Sequence, residues 1–213
     1  MLYAFLLMQQ SIADSVDTSI CKTDNPEQLH TITVLVEYMH SNSCAHMLSK
    51  LTELESLILP GKGLVDVDIL RYATNLRYLN LRNNSIYNIN LMQMKQLEYL
   101  DISGNPINNV ASEAIQTLQC NHCEIHSLSN IQTPLVESLY LRNNQIVDLH
   151  IEHMTHLRHV LLTSNLIVNI EDHESLQKLE VLDIVGNPIL QKDCPNDKGT
   201  SPALRKACMM LEF

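Results

Sequence analysis

The sequence predicts an α/β solenoid. The expected shape is a right-handed horseshoe with a parallel concave β-sheet and a mostly irregular or 3₁₀ convex side. Three observations carry that expectation. An apolar frame returns at near-constant spacing along two-thirds of the chain. A polar residue, usually asparagine, recurs at one fixed place in that frame. The interior must be aliphatic, because the 213 residues are 45% hydrophobic but only 4% aromatic, with no Trp.

The frame is clearest in LRYLNLRNNSIYNI from Leu76, with apolar residues at Leu76, Leu79, Leu81, Ile86 and Ile89. It recurs in LEYLDISGNPINNV from Leu97, VESLYLRNNQIVDL from Val136, LRHVLLTSNLIVNI from Leu157 and LEVLDIVGNPIL from Leu179. LESLILPGKGLVDV from Leu54 and IQTLQCNHCEIHSL from Ile115 are degenerate copies. The starts at 54, 76, 97, 115, 136, 157 and 179 are separated by 22, 21, 18, 21, 21 and 22 residues. Within each copy the L-x-L core alternates with period two, as a short strand does. One such unit cannot bury its apolar edge alone, whereas stacked units share a core. Asn84, Asn105, Asn144, Asn165 and Asn187 fall at the bend after each strand, with Cys123 in that place in the fourth copy and Lys62 in the first. An inward asparagine can satisfy backbone groups that the bend leaves unpaired. Lysine accepts no hydrogen bond, so the first bend is expected to be irregular or exposed.

This frame resembles the leucine-rich repeat, L-x-x-L-x-L-x-x-N/C-x-L, over residues 51–190 as seven copies. The remaining organisation is a leader over 1–20, an N-terminal capping segment over 21–50 and a C-terminal one over 191–213. The leader rests on the apolar run Leu2 to Met8 and on the small residues of Ser11-Ile12-Ala13, which suit a cleavage site.

Four histidines stand at three-residue spacing, at His150, His153, His156 and His159. The inward residues Ile151, Met154, Leu157 and Val160 share that spacing, as 3₁₀ geometry requires. Asn90, Gln93 and Gln96 hold the corresponding places in the segment that leads to Leu97. The row therefore follows from the repeat. The first three histidines are expected to be solvated on the convex side or its edges, and His159 to lie on the strand face. A row along a turning segment converges poorly for metal, and no metal ligand set or cofactor is expected.

The six cysteines are Cys21, Cys44, Cys120, Cys123, Cys194 and Cys208. Cys120-Asn-His-Cys123 has the spacing of a metal or redox motif, but both cysteines occupy inward positions of the repeat and are expected to be reduced core residues. The other four flank the array in pairs. Extracellular members of the resembled family cover their open ends with disulfide-bonded caps, which implies Cys21–Cys44 and Cys194–Cys208, although six cysteines allow 15 complete pairings. Asn83-Asn84-Ser85 is a glycosylation sequon on Asn83.

Strands in parallel register present columns of outward side chains. One runs Ser56, Tyr78, Tyr99, Thr117, Ser138, His159, Val181, and the next Ile58, Asn80, Asp101, Gln119, Tyr140, Leu161, Asp183. A third runs Pro60, Arg82, Ser103, Asn121, Arg142, Thr163, Val185. Tyr78, Asn80, Arg82, Tyr99, Asp101, Tyr140, Arg142, His159 and Asp183 are the candidate partner-binding residues, because Tyr and Arg are frequent interface anchors. Leu161, Val181 and Val185 form an apolar end. Asp101 and Asp183 lie too many repeats apart to act as a catalytic pair, and no nucleophile–base or phosphate-loop pattern is present, so an enzyme is not expected.

A net charge of −10 with no basic cluster disfavours nucleic acid and anionic membrane as partners. No apolar run approaches the ~20 residues of a membrane span. Short secreted arrays with cysteine-bounded ends are similar to the insect leucine-rich-repeat immune proteins of the short, coil-less type. That resemblance implies a secreted, extracellular protein that binds a protein partner, or a glycan-bearing or pathogen surface, in innate defence. The alternative is an intracellular scaffold resembling the phosphatase-regulator leucine-rich proteins, with its N-terminus retained and its thiols free.

Overall fold

The computed structural model describes residues 18–170, 175–190, 192, 194 and 200–212. The leader region at Leu2 to Ala13 lies outside the described residues, as does part of the C-terminal capping segment.

Seven three-residue strands form one parallel sheet in the order β1-β2-β3-β5-β7-β8-β9. They are β1 (Ser56–Ile58), β2 (Tyr78–Asn80), β3 (Tyr99–Asp101), β5 (Thr117–Gln119), β7 (Ser138–Tyr140), β8 (His159–Leu161) and β9 (Val181–Asp183). Two shorter strands, β4 (Val110–Ala111) and β6 (Ile131–Gln132), pair in parallel as a separate sheet. The chain between the main strands is irregular, with 3₁₀ turns at Asp68–Tyr72, Leu128–Asn130 and Ser175–Lys178. The result is a right-handed horseshoe of about six turns.

The L-x-L alternation dictates the core. Leu57, Leu79, Leu100, Leu118, Leu139 and Leu141 are fully buried, while their strand neighbours face out. The outer segments contribute a second buried row, including Leu91, Met94, Ile151 and Met154. Because successive turns stack, each apolar row covers the next, and all of them join one continuous cluster.

Two caps close the ends. Helix α1 (Pro26–Tyr38) starts at Asn25, whose side chain accepts from the amides of Glu27 and Gln28, with Pro26 in the first turn. Helix α2 (Cys44–Leu51) starts at Ser43, which accepts from the His46 amide. Their buried faces, with Leu35, Met47, Leu48 and Leu51, cover the first turn. Thr31 Oγ1 donates to the Asp66 carbonyl and fixes α1 to that turn. At the far end α3 (Pro202–Met209) buries Ala203, Leu204, Ala207 and Cys208 beside β9. Cys21 is joined to Cys44 and Cys194 to Cys208.

The asparagines form an inter-turn ladder. Asn105 Oδ1 accepts from the Ile86 amide at 3.0 Å, and its Nδ2 donates to the carbonyls of Leu81 and Ile102, both at 2.9 Å. Asn84, Asn144, Asn165 and Asn187 repeat this pattern. Each side chain thus ties its own turn to the preceding one. The side chain of Lys62 is exposed, and Asn84 takes the first bend's amides at Lys62 and Leu64.

The residue before each ladder position is left-handed in all seven bends: Gly61, Asn83, Gly104, His122, Asn143, Ser164 and Gly186 have φ between 53° and 73°. This conformation carries the parallel ladder past the strands, since each such amide up to Ser164 donates to the next turn, as Asn83 does to the Ser103 carbonyl at 2.8 Å. Asn and His tolerate φ > 0 better than most residues, so Ser164 is the least expected occupant of this place.

The expectation of reduced cysteines in the fourth copy is corrected. Cys120 and Cys123 are joined, and no cysteine is free among the described residues. The reason is local. The left-handed bend at His122 brings the two Cα atoms to 5.6 Å, inside the range a disulfide spans. Cys123 supplies no amide for the ladder, so the Ile107 amide turns to the Asn105 carbonyl at 2.8 Å. The same joint follows the 18-residue copy, and there the β4–β6 pairing adds convex hydrogen bonds.

Candidate functional site

The strand register sets the outward columns. Tyr78 faces Tyr99, then Thr117, Ser138, His159 and Val181 in turn. Asn80 faces Asp101, Gln119, Tyr140, Leu161 and Asp183. The candidate residues therefore share one face. It has two halves, an aromatic and polar one on β2, β3 and β7 and an apolar one at Leu161, Val181 and Val185.

Tyr78 and Tyr99 stack with ring centroids 4.4 Å apart and planes 5° from parallel. Adjacent parallel strands in register impose this face-to-face arrangement, since nothing offsets one ring along the strand from the other. The Tyr99 hydroxyl is pushed up to about 12, first by burial and then by the neighbouring Tyr78, Asp101 and Tyr140. Tyr140, two strands away, is the weakest of these causes. The intervening side chain in the Tyr99 column is the small Thr117.

Three of the candidates have local duties that sequence reasoning missed. Asn80 Oδ1 accepts from the Arg82 amide, Asp101 Oδ1 from Ser103, and Asp183 Oδ1 from Val185. Each closes the same turn at a strand end. Asp183 also accepts from Thr163 Oγ1 at 2.8 Å and lies 3.8 Å from Arg142 Nη2. Arg82 is exposed. His159 is half-buried, with Nδ1 3.2 Å from Ser138 Oγ and Nε2 3.6 Å from Glu180. Asp101 and Asp183 are four strand spacings apart, about 19 Å, which rules out joint acid–base chemistry.

The other histidines do not converge. His153 donates to the Ile131 carbonyl at 2.9 Å and His156 to that of Pro134 at 3.2 Å, while His150 lies 3.0 Å from Asp148. His153 and His156 are therefore not merely solvated; they pair with carbonyls of the preceding turn. Lys178, one turn further, does the same to the Met154 carbonyl at 2.7 Å. Among the described residues no group of three His, Cys, Asp or Glu is arranged to hold a metal ion. Asn83 is exposed at the left-handed bend beside the third column. Among the described residues no helix is long and apolar enough to cross a membrane.

The family model for leucine-rich repeats in two copies matches residues 74–112. The chain has the leucine-rich-repeat fold. Similar solved structures agree. Internalin C2 of Listeria monocytogenes is 20% identical with a TM-score of 0.60, over 75% of this chain and 84% of that one. The TLR13 complex with the single-stranded RNA ssRNA13 gives 23% identity and a TM-score of 0.60, over 72% of this chain and 25% of that one. The LRIM1/APL1C complex gives 20% and 0.56, over 75% and 38%. The chain thus spans a quarter to two-fifths of the latter two proteins. A search of curated proteins by sequence finds no match.

Proposed function

We propose that this leucine-rich-repeat protein is a secreted recognition module that binds a protein partner, or a glycan-bearing or pathogen surface, through its concave face in innate defence. The observation that carries the reading is the preorganised aromatic half of that face. The Tyr78–Tyr99 stack is already formed, so a partner that covers it loses little rotamer freedom on the protein's side. Three disulfides favour an oxidising compartment. The similarity to the LRIM1/APL1C complex supports recognition within an assembly, and a net charge of −10 weighs against an RNA partner. The reading is one of binding rather than catalysis.

Expression in insect cells with the native N-terminus, followed by intact mass of medium and lysate after thiol alkylation under non-reducing denaturation, tests the compartment. Secreted protein trimmed near residue 13 with no alkylatable thiol is the expected result. Full-length protein confined to the lysate with six free thiols would overturn it and favour the intracellular scaffold. Capture from extracellular fluid tests the face: Tyr99→Ala and Tyr140→Ala should abolish it, whereas Tyr87→Ala, 60% exposed and outside the concave columns, should not.

A further inference from the structure

We infer that the aromatic half of the concave face receives a basic side chain, arginine or lysine, presented by the protein partner, with Asp101 as its counter-charge and Tyr78, Tyr99 and Tyr140 as its walls. This rests on the concave-face reading above and names the chemistry of that contact.

Asp101 is only 4% exposed. Its Oδ1 accepts from the Ser103 amide at 2.9 Å, and among the described residues no lysine, arginine or histidine forms an ion pair with it. The charge is not needed for the turn. Asn80, at the same register position one strand away, closes the same turn with a neutral side chain. Asp183, at the same position in β9, is an acid too, but Thr163 and Arg142 compensate it. Asp101 is therefore the carboxylate of this column whose charge is left for something outside the chain. A buried acid without a counter-charge is a position that a ligand cation satisfies.

The surroundings select the class of cation. The rings of Tyr78 and Tyr99 are stacked beside it, and Tyr140 stands two strands on in the same column as Asp101, beyond Gln119. Tyr99 and Asp101 lie two residues apart on the same face of β3, and Asp101 and Tyr140 are among the neighbours that raise the Tyr99 hydroxyl. Aromatic rings next to a carboxylate hold weakly hydrated organic cations, guanidinium above all. A net charge of −10 favours the approach of a basic segment. Arg82, exposed two residues past the end of the neighbouring strand β2, limits the net positive charge such a segment can carry, so single-charge probes are the appropriate test.

Asp101→Asn is the informative variant, because asparagine keeps the turn, as Asn80 does. Glu152→Gln, exposed outside the concave columns, removes the same charge elsewhere. Tyrosine ring resonances are followed during titration with N-acetyl-arginine amide and with its neutral isostere N-acetyl-citrulline amide. The expected result is that the arginine probe moves the resonances of Tyr78, Tyr99 and Tyr140, and that the citrulline probe binds about tenfold more weakly. Asp101→Asn should bring arginine down to the citrulline level, and Glu152→Gln should not. No shift at tens of millimolar probe, equal binding of the two probes, or unchanged arginine binding in Asp101→Asn would each overturn the inference. Partner capture that still depends on Tyr140 while the probes bind alike keeps the concave-face reading and overturns only this one. Probes that discriminate while capture ignores Tyr99 and Tyr140 support this cation site and overturn the concave-face reading.

Discussion

Asn105→Ala removes one rung of the inter-turn ladder where it is most deeply buried. The side chain is 1% exposed and makes three hydrogen bonds, from the Ile86 amide and to the Leu81 and Ile102 carbonyls. Truncation leaves three backbone groups without this partner and with little access to water. At about 1–1.5 kcal/mol per bond the loss is about 3–5 kcal/mol, a large part of a typical domain's 5–15 kcal/mol. Asn187→Ala breaks the equivalent three bonds in the last bend, but that side chain is only half-buried. Water can replace part of what is lost, and about 1–2 kcal/mol is expected. Urea titration by far-UV circular dichroism measures both, and hydrogen exchange locates the opening at Ile86 and its neighbours. Equal destabilisation by the two substitutions, or a loss below about 1 kcal/mol for Asn105→Ala, would refute the argument that ladder energy is set by burial of the backbone groups it serves.

Gly104→Ala should cost slightly more than Gly61→Ala by thermal melting, although both are left-handed: a Cβ at 104 forces the exposed Asn83 carboxamide to rotate away, while one at 61 meets nothing within 4 Å. Replacing Cys21 and Cys44 with serine should lower stability by about 3 kcal/mol in denaturant titration, because that disulfide closes a 23-residue separation. Cys120→Leu with Cys123→Asn restores the ladder pattern and should fold without that disulfide, within about 1 kcal/mol of the parent; failure to fold would show that the cross-link, not the ladder geometry, holds this joint. Spectrophotometric titration of the phenols should find Tyr99 ionising at about 12 rather than 10.0. Because its folded value lies above the unfolded one, its contribution to stability is complete below the unfolded value and is lost as pH rises through the folded one. Asp101→Asn should move it down, since the Asp101 charge is one of its causes.

Much of this architecture is legible without coordinates. The columns of outward residues follow from spacing alone, because a parallel sheet of identical turns leaves only one register that keeps every leucine inside. The ladder role of the asparagines follows from the accounting of bend amides. Less legible were the residues whose task depends on a neighbour in the next turn. His153 and His156 read as polar surface, and only stacking sets them against the carbonyls of Ile131 and Pro134. Cys120 and Cys123 read as core residues, and the left-handed bend at His122 brings them together. A signal for that bend was present, since Gly, Asn, His and Ser share the place before the ladder residue, and most of these tolerate positive φ.

What the sequence by itself determined is everything that repeats. A period near 21 residues, an alternating L-x-L and one inward polar residue per turn leave a single way to bury the apolar rows, so fold and register follow from local pattern. What only the tertiary structure decided is where the turns differ. Asp101 and Asp183 occupy the same position in the pattern, yet one is buried with no counter-charge among the described residues and the other is compensated by Thr163 and Arg142. That difference lies in side chains from other strands, 20 or more residues away, whose distance and burial no periodicity encodes.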